Sequence, residues 1–148
     1  MENNPVLRVT FKVTAPFIML FALYVQFHGE YGPGGGFQAG AIFAAVFFLH
    51  ALIYGVERTM RVISPYATLL LIVAGVLIYA ATGVAGMLLG GNFLEYAVFA
   101  DKAKTAQVTG IIVVELGVGL AVFGSVLLIF YLFAGRRLVQ PRPTEDQG

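Results

Sequence analysis

Cysteine is absent from this 148-residue chain, and so is tryptophan. Without thiols there can be no disulfide, no thiolate-bound metal and no iron–sulfur cluster. Without Trp, an aromatic belt at a membrane surface must be built from Tyr and Phe. Charge is scarce as well, at 11% of residues against about a quarter in a typical soluble domain. The net charge of +1 offers no basic patch for nucleic acid. No nucleophile–base constellation, cofactor motif or metal-ligand cluster stands out, so neither an enzyme nor a cofactor or metal site is expected. What the chain does have is apolar length, with 59% hydrophobic residues.

A spanning helix needs roughly 20 mostly apolar residues. Candidate segments run from about Thr10 to Phe27, Pro33 to Gly55, Pro65 to Leu89 and Gln107 to Phe133. The first is short, and Arg8 and Lys12 can snorkel from its start. Basic residues ahead of an apolar run also suit a signal peptide, but no small-residue cleavage site follows, so an uncleaved helix is expected. The predicted fold class is an all-α integral membrane protein with four transmembrane helices. Residues 1–135 form its membrane domain and residues 136–148 a polar cytoplasmic tail. Pro16 is expected to bend the first helix. The connection from Gly90 to Ala106 is apolar enough either to lie at the membrane interface or to contact another element.

Basic residues set the expected orientation. Arg8 and Lys12 precede the first helix, Arg58 and Arg61 lie between the second and third, and Arg136, Arg137 and Arg142 follow the fourth. Only Lys102 and Lys104 fall on the opposite side. Both termini should therefore face the cytoplasm.

Between lipid tails, helices associate largely through close backbone approach at small residues. The second helix has Gly36, Gly40 and Ala44 at four-residue spacing. The third has two parallel stripes, Ala67–Ala74–Ala81 and Thr68–Gly75–Thr82, and the fourth has Ala103, Gly110, Gly117 and Gly124. Glycine weakens a helix interior by about 1 kcal/mol relative to Ala. Repeated on one stripe, it argues for another helix lying there. Seams on three helices predict a chain embedded in a larger assembly rather than a self-contained bundle.

Two features carry candidate chemistry. The first is the stretch His28 to Gly40, HGEYGPGGGFQAG, where glycines crowd the start of a membrane helix. Pro33 suits the first helical position, and Gly34, Gly35 and Gly36 would then form a first turn whose N–H groups lack intrahelical partners. Such bare donors suit a polar vestibule with His28, Glu30 and Gln38 nearby, or a tight contact with a neighbour. The second feature is Glu115, about 12 Å down the fourth helix. An ionisable residue at that depth is a functional candidate. Hydrocarbon favours the neutral acid and a bound cation favours the carboxylate, which is the property a proton–cation exchanger needs. A carboxyl bonding across a subunit contact is the structural alternative. Glu115 and the Gly110–Gly117–Gly124 seam lie on opposite sides of the helix, so protein or water is expected on both. His50, near the end of the second helix, either titrates near neutral pH or bridges helices.

Together with ELGVG from Glu115 to Gly119, the proline–triglycine stretch resembles the B-type small subunits of the Mrp-type multisubunit Na⁺/H⁺ antiporters. The likeness extends over roughly residues 6 to 135. It implies a small multi-pass subunit in a prokaryotic cell membrane, packed beside large antiporter-like subunits and other small membrane subunits. Na⁺ and H⁺ would be the transported ions. Glu115, His28, Gln38 and His50 are then the candidate ion-path residues. Pro33, Gly34, Gly35, Gly36, Gly40, Gly110, Gly117 and Gly124 are the candidate packing residues. Alternatives are an equivalent subunit in the membrane arm of an ion-pumping hydrogenase or sulfur reductase, a pure scaffold subunit, and an independent small transporter.

Overall fold

The computed structural model describes residues 5–29, 33–99 and 103–139. Its main helices are α1 (Pro5–His28), α2 (Gly36–Tyr54), α4 (Pro65–Leu88) and α5 (Ala103–Val139), with a short α3 (Val56–Val62) between α2 and α4. A 3-10 turn, Tyr96–Phe99, lies in the connection to α5. The four long helices are each long and apolar enough to cross a membrane, as the sequence predicts. α5 runs on through Val139, past the residue-135 boundary, and residues 140–148 lie outside the described residues.

Local chemistry explains several of these limits. Ser64 caps α4 by accepting a hydrogen bond from the Ala67 N–H at 3.1 Å, with Pro65 in the first turn, where its missing N–H is harmless. Gly55 ends α2 and starts α3 at φ 94°, a left-handed conformation that glycine adopts without steric cost. α1 runs unbroken through Pro16. Its buried residues, Ala15, Ala22, Val25 and Gln26, form one narrow stripe, while Phe17, Leu20, Phe21 and Tyr24 are exposed.

α5 is the central helix. It packs most extensively against α4, then against α2, and also touches α1, α3 and the 3-10 turn. The glycine seams make these contacts possible. A Cβ on Gly75 of α4 would strike the Gly117 carbonyl, and one on Gly117 would lie 2.8 Å from the Gly75 oxygen. A Cβ on Gly124 would come within 2.7 Å of the Thr68 oxygen. On the other side, Gly36 meets the Glu115 carbonyl, and a Cβ on Gly40 would lie 2.5 Å from the Gly119 oxygen. α5 is thus sandwiched on two sides, as expected.

The partners of these contacts lie within this chain, so the stripes do not themselves require another subunit. Gly110 is covered by the ring of Tyr96 rather than by a helix. Burial and the nearby Tyr79 push the Tyr96 hydroxyl above the ordinary tyrosine range, keeping it neutral. Of the two α4 stripes, Thr68 and Gly75 are buried, while Ala74 and Ala81 are exposed.

The helix ends are uneven. Gly117 packs between Gly75 and Tyr79, and α4 continues to Leu88, about two turns beyond the level of Glu115. Gly29, at the end of α1, and Gly35 and Gly36, at the start of α2, lie at the level of Glu115 itself.

Candidate ion-path site

The end of α1 and the start of α2 meet at a carboxyl group. Gly29 and Gly35 flank the Glu115 side chain. A Cβ on Gly29 would fall on Glu115 Oε1, and one on Gly35 would lie 2.9 Å from the same atom. Any larger residue at Gly29 would displace the carboxyl. Gly35 carries a second requirement, since its φ of 125° lies where side-chain-bearing residues are rarely found.

Here the expected helix start needs correction. α2 begins at Gly36, with Gly35 as its N-cap and Pro33 in a bend, so Pro33 is not the first helical residue. Gly35 takes a non-helical conformation because its N–H turns back to the Val25 carbonyl at 3.1 Å, capping the end of α1. The intrahelical ladder of α2 opens with the Ala39 N–H on the Gly35 oxygen at 3.0 Å. The N–H groups of Gly36, Phe37 and Gln38 thus precede the ladder, at the positive end of the helix. Glu115 lies against that end. A negative group is favoured there, and the absence of side chains lets it approach.

The other predicted residues distribute unevenly. His28 closes α1 beside Gly29, its ring stacked on Tyr24 at 4.9 Å between centroids. Gln38 lies on the exposed side of α2, with Oε1 3.8 Å from the Cβ position of Gly35. Glu30 falls outside the described residues. His50 is not part of this site. Fourteen residues of α2 separate it from Gly36, about 21 Å along the axis.

His50 belongs instead to a latch at the opposite end. Its Nδ1 lies 2.7 Å from the Thr59 hydroxyl, and that hydroxyl donates to the Gly55 carbonyl at 3.1 Å. With the hydroxyl proton committed to Gly55, Nδ1–H is the donor to Thr59. The Tyr131 hydroxyl donates to the Ile63 carbonyl at 3.0 Å, fastening α5 to the end of α3. Phe11 meets the rings of His50 and Tyr54 edge-on, and the Arg8 guanidinium lies 5.6 Å from the Tyr54 ring centroid.

One polar residue at the Glu115 end escapes the sequence reading. Gln26 of α1 is 6% exposed and packs on Gly119, one turn from Glu115 along α5. A lone amide in the run LFALYVQF, on the same stripe as Ala15 and Ala22, is the signal that could have found it.

Comparison with known proteins supplies the remaining observation. Residues 6–128 match the model of a family described as a domain related to the MnhB subunit of Na⁺/H⁺ antiporter. The antiporter subunit mnhB2 of Staphylococcus haemolyticus (strain JCSC1435) is 32% identical over 137 residues, which cover 90% of this chain and 96% of the relative. Its namesake from Staphylococcus aureus (strain Newman) is 31% identical over 139 residues, covering 92% and 98%.

Proposed function

The chain belongs to the MnhB family of Na⁺/H⁺ antiporter subunits, and on that premise we propose that Glu115 is a protonatable station on the ion path. Membership makes the chain a multi-pass membrane subunit of a multisubunit Na⁺/H⁺ antiporter, a transporter component whose partners are the other subunits. The observation that carries the proposal is the Glu115 carboxyl lying between Gly29 and Gly35 at the start of α2. The helix end favours the carboxylate, and the hydrocarbon around the span favours the neutral acid. Held between those pulls, the group releases a proton when a cation arrives and takes one up when the cation leaves. Water and ions would reach it from the end of the bundle at which His28 closes α1.

Orientation is part of this reading. Arg8, Lys12, Arg58 and Arg61 gather at the latch end, so that end faces the cytoplasm with both termini, and the Glu115 end faces outward. The large antiporter-like subunits and the other small membrane subunits are the neighbours. External H⁺ would be exchanged for internal Na⁺, driven by the proton gradient.

A scaffold role has its own support, because the same carboxyl packs between Gly29, at the end of α1, and Gly35, at the start of α2. Glu115→Gln separates the two, since the amide keeps the shape and loses the titration. Exchange in inverted vesicles is expected to drop to background while the subunit stays in the complex on a native gel. An assembled complex exchanging at the parental rate would return Glu115 to the scaffold.

A further inference from the structure

The latch end also holds a groove. α2 ends at Tyr54, and the left-handed turn at Gly55 leads into α3, which the Tyr131 bond to Ile63 fastens to α5. Between α2, α3 and α5 this leaves an open groove of about 850 Å³. Small-molecule sites typically measure about 300–1,000 Å³. The lining has two parts. Leu52 of α2, with Phe130 and Phe133 of α5, supplies an apolar wall that belongs to the membrane spans. Glu57 and Arg58, in the first turn of α3, supply one charge of each sign just past the end of α2. Leu52, Phe133 and both charged residues are exposed. Neither Glu57 nor Arg58 is in an ion pair among the described residues.

We propose that this groove binds a phospholipid with a zwitterionic amino headgroup. Its phosphate lies on Arg58, its ammonium on Glu57, and the start of an acyl chain along Leu52, Phe130 and Phe133. A groove that is apolar within the span and charged at its edge fits a molecule divided in the same way. An inorganic anion would leave the apolar wall uncovered. A lipid without an ammonium would satisfy Arg58 but bring its phosphate beside the Glu57 carboxylate with no cation between them. An amino headgroup answers both charges, since a guanidinium pairs well with phosphate and a primary ammonium donates to a carboxylate. On the orientation proposed above, the lipid comes from the cytoplasmic leaflet. Glu115, at the other end of the bundle, has no part in this site.

The test uses the assembled complex in vesicles of phosphatidylcholine, whose quaternary ammonium cannot donate a hydrogen bond. A trace of phosphatidylethanolamine carrying a diazirine near the start of one acyl chain is added. Illumination is expected to leave adducts on Leu52, Phe130 or Phe133, located by peptide mass spectrometry. The same chain on phosphatidylglycerol should give about threefold fewer, because exposed charge pairs are individually weak. Arg58→Gln should lower the yield from both probes by about fivefold, the worth of one basic residue at a membrane surface. Glu57→Gln should remove the preference for the amino headgroup. Both side chains are exposed, so each variant subunit should stay in the complex on native gels. Adducts elsewhere on the chain but none on these three residues would overturn the proposal by showing another subunit in the groove. Equal yields from the two probes would overturn it as well, as would a yield that Arg58→Gln leaves unchanged, since either describes lipid that merely surrounds the protein. So would a preference that survives Glu57→Gln.

Discussion

The two ends of the bundle bury different kinds of polar group. At the latch end, neutral side chains bond one another and nearby carbonyls, His50 with Thr59, Thr59 with Gly55 and Tyr131 with Ile63, while the buried Tyr54 hydroxyl has no hydrogen-bond partner among the described residues. At the other end a carboxyl lies against bare glycine backbone, and one turn away the amide N–H group of Gln26, on α1, has no acceptor among the described residues. A hydrogen-bonded latch has a single best arrangement and resists opening. A carboxyl against a helix end can lose or gain a proton without breaking the backbone around it. On the proposed reading, the difference separates a part that holds from a part that exchanges.

The contrast is tested most severely by filling the glycine contacts. Gly36→Leu places a side chain on the Glu115 carbonyl, and the obstructing atoms are backbone, which cannot turn aside. Overpacking typically costs about 1–3 kcal/mol even where side chains can repack. Here α2 and α5 must separate, so the subunit is expected to vanish from the complex on native gels. Gly29→Ala is a finer probe. The atoms its new methyl meets first are those of the Glu115 carboxyl, the far end of a flexible side chain, and the φ of Gly29 lies outside the left-handed region. Assembly should survive, with exchange falling by about tenfold as the carboxyl is displaced. Loss of assembly by Gly29→Ala would mean that the carboxyl is fixed as firmly as the latch, and the distinction between the ends would dissolve.

Much of the Glu115 end was legible in the sequence, because intramembrane charge is rare and glycine at helical spacing is conspicuous. Depth, the two-sided environment of α5 and the glycine stretch all followed from counting along the helix. Three things did not. Spacing shows which residues share a stripe but not which helix covers it, so seams satisfied inside the chain looked like surfaces awaiting a partner. Pro33 fits a helix start, yet the bond from Gly35 to Val25 moves the start to Gly36, and a cap between two helices leaves no periodic trace. The latch joins Tyr131 to residues 68 and 72 positions away, through backbone carbonyls that every residue carries. Gln26 is an intermediate case. Its polarity was visible, but its contact with Gly119 depends on how α1 packs.

The smallest expected effect lies at the latch. Tyr131 is 2% exposed, and Tyr131→Phe would leave the ring in place while removing the bond to Ile63. Hydrogen bonds between helices in membranes are worth about 0.6 kcal/mol on average, because the unfolded helices also find partners in the bilayer. The purified complex should therefore lose this subunit at a temperature only a few degrees lower, with exchange at the parental rate and an unmoved pH profile. The unmoved profile is the informative part. Gly29→Ala should alter exchange without loosening the bundle, and Tyr131→Phe should loosen the bundle without altering exchange. If Tyr131→Phe instead shifted the pH profile, the two ends would be coupled through α5, which carries both Glu115 and Tyr131. The latch would then have to be counted as part of the exchange mechanism rather than as its support.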